Sequence, residues 1–277
     1  MDKGGSAPSR AALPALVGVL VVLFGWGAMF TAGGLVGSQG LRPLLLASEF
    51  GLALPGLFSL ALFRIPIVKA LALRPIDRRT LFLSLGAGSC FWGASLGLFE
   101  LQYAIWRPPL GYLESFRHLH EALAPAGPLD AVLSVTAIAL APAFFEEVLF
   151  RGIVLPALAP ARWPALAVIG SALLFGLIHV DPSTRGAAAF YRVPFAFAVG
   201  IGLGLLRIGT GALLPSILAH ALLNTMTFVA APYTDDPTQG MPPAQPLLGA
   251  ALLLGGGLLA ALLLTRLRRV DSPATST

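Results

Sequence analysis

Apolar residues run through this 277-residue chain in long blocks, not in the short periods of a soluble helix or strand. A spanning helix needs roughly 20 mostly apolar residues, and breaks rich in charge or proline leave eight blocks of that order. They lie at about 11–37, 44–63, 81–106, 129–158, 163–181, 187–206, 210–232 and 247–265. The pattern predicts an all-α, polytopic membrane helix bundle of about eight transmembrane helices. The first block follows Lys3 and Arg10 as a signal peptide would, but it is about twice as long as such a peptide's apolar region and reads as a retained anchor.

Between the blocks, residues 107–128 carry Glu114, Arg117, His118, His120 and Glu121 between prolines and predict an external loop or short interfacial helix, with both histidines solvated. Residues 233–246, with Asp235, Asp236 and four prolines, predict irregular chain. The tail 266–277 ends in Ser, Thr and Pro and reads as a disordered cytoplasmic segment. No repeat of fixed period and no second soluble region is visible, so residues 1–277 read as a single integral membrane domain.

Composition sharpens the picture. Charged residues make up 11% of the chain, where a soluble domain has about 25%. Hydrophobic residues reach 56% and the mean hydropathy is +0.83, more apolar surface than a soluble fold of this size can hide. The single cysteine, Cys90, excludes a disulfide framework and a cysteine zinc site. A net charge of +5 would suggest nucleic acid in a soluble protein, but here the cations sit between blocks and at the ends, so no nucleic-acid partner is expected. With the N-terminus inside, twelve of the eighteen cations are cytoplasmic, Arg42, Arg107, Arg117, Arg185 and Arg192 lie outside, and Arg151 alone falls within a span. The orientation expected is N-in and C-in.

Ionisable residues within a bilayer are costly, about 2.5–3.5 kcal/mol each on insertion scales, so their positions point to function. The fourth block holds Glu146, Glu147 and Arg151, with Glu147 and Arg151 spaced i,i+4 in the favourable order. Glu146, about 100° round the helix, lacks that partner. The fifth block ends in Phe175 and His179, and the seventh contains His220 and Asn224, each pair again i,i+4. At 1.5 Å per residue, Glu146, His179 and His220 lie roughly 18, 24 and 15 Å from the nearest turns, depths at which they can meet. Singly, an ion pair, a buried histidine or an asparagine is commonly structural. Together, two carboxylates, a guanidinium, two imidazoles and a carboxamide supply the base, electrophile and orienting donor that amide hydrolysis requires.

The series E-E-x-x-x-R, F-x-x-x-H and H-x-x-x-N at Glu146, Glu147, Arg151, Phe175, His179, His220 and Asn224 resembles the CPBP family, which groups type II CAAX prenyl proteases with bacteriocin-processing and Abi proteins. The motifs match without substitution across about 129–228, the expected peptidase core. The resemblance implies an intramembrane peptidase with a water-filled cavity. Glu146 would be the general base, His179 would help to hold the water, and His220 and Asn224 would stabilise the oxyanion. Glu147 and Arg151 would fix the helix, with Phe175 in support. Prolines 142, 156, 160 and 164 break the backbone nearby, as is tolerated where helices line a cavity.

Glu146, His179 and His220 would also make a His₂Glu set of the kind found in catalytic zinc sites, but HExxH is absent, and the resemblance to glutamic-type members favours a metal-free water and no cofactor. Gly93-Ala94-Ser95-Leu96-Gly97 fits G-x-S-x-G, yet lies inside a span; it, Gly33/Gly37 and Gly200/Gly204 read as helix-packing positions. Glu49 and Glu100 read as interfacial. A transporter or channel that uses the cluster for protons or ions is the main alternative, although no second copy of the cluster appears, and a non-catalytic scaffold is a third. The expected partners are the bilayer and a membrane-anchored protein or peptide: a prenylated CAAX tail, a bacteriocin leader or a C-terminal sorting tail, as in the myxosortase branch. The Ala/Leu/Gly/Pro/Arg-rich composition suggests a bacterial inner membrane.

Overall fold

Proline opens many of the helices, where a missing N–H costs nothing because the first turn has no intrahelical acceptor for it. Pro109 precedes one helix, Pro128, Pro164 and Pro246 begin three others, and Pro194 and Pro215 sit second in two more. The structure, a computed structural model, describes residues 12–159, 164–182, 184–230 and 244–268. The helices are α1 (Ala15–Val36), α2 (Leu41–Leu62), α3 (Arg78–Ile105), α4 (Leu110–Ala122), α5 (Pro128–Leu158), α6 (Pro164–Leu177), α7 (Val193–Thr210), α8 (Leu214–Ala230) and α9 (Pro246–Arg268). Single turns lie at Gly37–Gln39, Ile67–Ala70 and Gly186–Phe190, and no strand occurs among the described residues. Pro160, the 233–243 part of the second long loop and the tail beyond 268 lie outside the described residues.

Six of these helices are long and apolar enough to cross a membrane: α1, α2, α3, α5, α7 with the turn before it, and α9. The other two expected spans correspond to shorter apolar helices among the described residues, α6 and α8. α6 has 14 residues and α8 has 17, about 21 and 26 Å of helix against a hydrocarbon core of about 30 Å. Apolar sequence continues past Leu177, and so hid where the backbone turns there. After Leu177 the ladder tightens, with His179 N donating to the Gly176 carbonyl at 3.0 Å. Gly211, at φ +63, ends α7 in the left-handed region just before α8. The 107–128 segment contains a helix, α4.

α1 packs on α2, α9 and α8 on α3, and α7 on α6, with α5 threaded between them. Half of α5's apolar window is buried, against 17% for α9, so α5 is the inner helix that can carry charge. It is not a regular α-helix. Wider π turns at Thr136–Leu140 and Val148–Val154 flank Ala141–Glu147, and such insertions re-phase the side chains beyond them, often at functional sites. Small residues set the closest approaches. A Cβ on Gly88 of α3 would stand 2.7 Å from the Ala219 carbonyl oxygen of α8, next to His220. Gly88→Ala is therefore expected to lower stability by about 1–3 kcal/mol by pushing α8 outward. Gly93→Ala, which faces open space, should cost nothing; thermal unfolding of both variants in detergent checks the pair.

Candidate active site

Glu146 and Glu147 are consecutive residues of α5, so their side chains diverge by about 100° and meet different partners. Glu147 is fully buried, and its Oε1 accepts from Arg151 Nη1 at 2.7 Å and from His220 Nδ1 at 3.1 Å. Arg151, also fully buried, donates from Nη2 to the Gly200 carbonyl of α7 at 2.9 Å and lies 4.6 Å over the Phe175 ring of α6. One ion pair thus ties α5 to α6, α7 and α8. Gly200 permits the contact, since a Cβ there would press on Ala172 and Phe175 at 3.0–3.2 Å.

Glu146 turns the other way. Its Oε1 is 4.0 Å from His179 Nε2 and its Oε2 is 3.6 Å from His220 Nε2. Each imidazole is held from behind. His179 Nδ1 donates to the Phe175 carbonyl at 2.8 Å, and His220 Nδ1 faces the Glu147 carboxylate that Arg151 pairs. A carbonyl and a carboxylate only accept, so both Nδ1 atoms carry the hydrogen, and in neutral rings both Nε2 atoms present lone pairs toward Glu146. Three acceptors therefore surround one small gap, which calls for a donor or a cation between them. Among the described residues no group of three His, Cys, Asp or Glu is arranged to hold a metal ion.

Phe175 walls the pocket, its ring 4.9 Å from His179, 5.8 Å from His220 and 5.2 Å from Phe150. Ser171 on α6 ties to the Phe150 carbonyl, and Trp26 of α1 donates to the Ile178 carbonyl beside His179. The His179 side chain is 17% exposed against 5% for His220, so the cluster is more open on its α6 side. Asn224 lies one turn beyond His220, half-buried.

The structure thus brings Glu146, Glu147, Arg151, Phe175, His179 and His220 into one cluster. Glu49, read from sequence as interfacial, is a correction: it adjoins Phe50, whose ring packs on Phe145 of α5 at 5.9 Å, and its Oε2 is enclosed. Its only sequence signal is an acid within an apolar block. His120 is a second correction. It is half-buried on α4, stacked 5.5 Å from Phe228 of α8, and loss of hydration holds it below the usual histidine range. His118 is exposed, 3.5 Å from Glu121. Ser95 of the G-x-S-x-G match sits inside α3, donating to the Trp92 carbonyl at 2.7 Å, with Gly97 against α9 and Gly93 in open space. That is no nucleophile elbow.

Residues 128–226 match the family described as type II CAAX prenyl endopeptidase Rce1-like. No curated protein and no solved structure matches the chain. The match covers about a third of the chain, and together with six described helices long and apolar enough to cross a membrane it supports an integral, multi-pass membrane protein.

Proposed function

We propose, from the Rce1-like domain that this chain carries over 128–226, that it is an intramembrane endopeptidase in which Glu146 is the general base. One observation carries the reading: Glu146 stands within 4.0 Å of two imidazole nitrogens, His179 Nε2 and His220 Nε2. A water placed there gives one hydrogen to Glu146 and the other to His179 Nε2, which leaves an oxygen lone pair free to attack a carbonyl carbon. Glu146 takes the proton, and the carbonyl oxygen becomes an oxyanion. Asn224 and His220 on α8 are assigned as its donors. His220 can donate from Nε2 only as an imidazolium, with Glu147 as its counter-ion, because Nδ1–H is already committed. Collapse of the intermediate breaks the C–N bond, and Glu146 returns its proton to the departing amine.

The substrate in this reading is the C-terminal or leader segment of a membrane-associated protein, in a bacterial inner membrane with both termini inside. In this reading no metal or other cofactor takes part: the two hydrogens of one water serve Glu146 and His179 Nε2, and His220 acts as a donor. A proteoliposome assay with a membrane-anchored peptide tests this. His220→Ala is expected to lower kcat by about 10²-fold, the usual loss for one oxyanion donor. A chelator series should leave turnover unchanged and metal analysis should find far less than one ion per chain. Loss of activity on chelation, with recovery on adding zinc, would replace the water-only mechanism.

A further inference from the structure

Glu49 lies outside the three motifs, on the stretch of α2 that packs against α5 next to Glu146. α2 runs along the face of α5 that carries Glu146. Phe50 meets Phe145 edge-on at 5.9 Å, and one end of α2 further on, Gly56 lies against Leu149 and Ile153. The residue before Phe50 is thus set beside the residue after Phe145. Glu49 Oε2 is shut off from solvent and has no hydrogen-bond partner among the described residues. Two cations on the same pair of helices are engaged elsewhere. Arg151 serves Glu147 and Gly200, and Arg42, two turns back on α2, is bound to Asp130 at 2.9 Å and to Ser134. An enclosed carboxylate beside another carboxylate, without its own cation, is costly unless the two hold a proton between them.

We infer that Glu49 is a positioning residue of the active site, donating a hydrogen bond from its carboxyl to Glu146 and aiming that carboxylate at the attacking water. The inference rests on the general-base reading of Glu146. Protons balance: the pair carries one before attack, two once Glu146 has taken a proton from water, and one again when the departing amine takes it as the C–N bond breaks. Glu49 keeps its own throughout.

The test is kcat and KM of Glu49→Leu, Glu49→Gln and Glu146→Gln in the same proteoliposome assay. Glu49→Leu is expected to lower kcat about 30-fold with KM within about twofold, and Glu49→Gln, whose amide still donates, only about threefold. Wild-type kcat in Glu49→Leu, or equal losses in both Glu49 variants, would overturn the inference. If Glu49→Leu does not fold, infrared spectra of the purified protein decide: a neutral-carboxyl band that Glu49→Gln removes supports the shared proton, and an unchanged band refutes it. An inactive Glu146→Gln beside unaffected Glu49 variants would sink this inference alone. An active Glu146→Gln would sink the general-base reading beneath it.

Discussion

Glu146→Gln is expected to lower single-turnover cleavage by about 10³-fold while leaving the protein folded. The substitution keeps shape and volume and removes only the ability to accept a proton. The carboxylate is not part of the frame: Glu147, not Glu146, carries the short bonds to Arg151 and His220. An amide at 146 still fits between the imidazoles, and can even donate to one of the Nε2 lone pairs, so stability should hold. The loss should appear in kcat. Cleavage of a membrane-anchored peptide above about a tenth of the wild-type rate would remove Glu146 as the base, and with it the proposed mechanism.

Arg151→Met should have the largest effect on folding, about 3–5 kcal/mol, because it leaves the Glu147 charge fully buried with only a histidine for company. The same change frees the Gly200 carbonyl and removes the cation over Phe175, so α7 and α6 lose their tie to α5. The double variant Glu147→Gln/Arg151→Met removes both charges and should recover much of that loss, since two neutral side chains need no counter-ion. Denaturant unfolding in detergent, run as a double-mutant cycle, measures both. An Arg151→Met protein within 1 kcal/mol of wild type would show that the pair does not hold the frame.

Both expectations follow from two neighbouring glutamates with different work to do. Their separation is a backbone property: successive helical residues point about 100° apart, so one acid faces the ion pair and the other faces the pocket. The spacing of Glu147 and Arg151 could be read directly, because an i,i+4 pair is local geometry and survives in the fold at 2.7 Å. The i,i+4 pairs Phe175/His179 and His220/Asn224 were equally legible, and the first places the Phe175 carbonyl where it fixes the His179 ring.

The chain's order of apolar blocks determined that it is an all-helical membrane bundle, and the charges stranded in those blocks determined which side chains seek one another, because hydropathy and helical phase are properties of neighbours along the chain. Where α6 and α8 stop, and that Glu49 and His120 turn inward, depended on contacts between residues far apart in sequence. An acid on α2 has the same local context whether it meets water or Glu146. Only the packing of α2 on α5 distinguishes the two, and that packing is set by side-chain shapes on both helices at once.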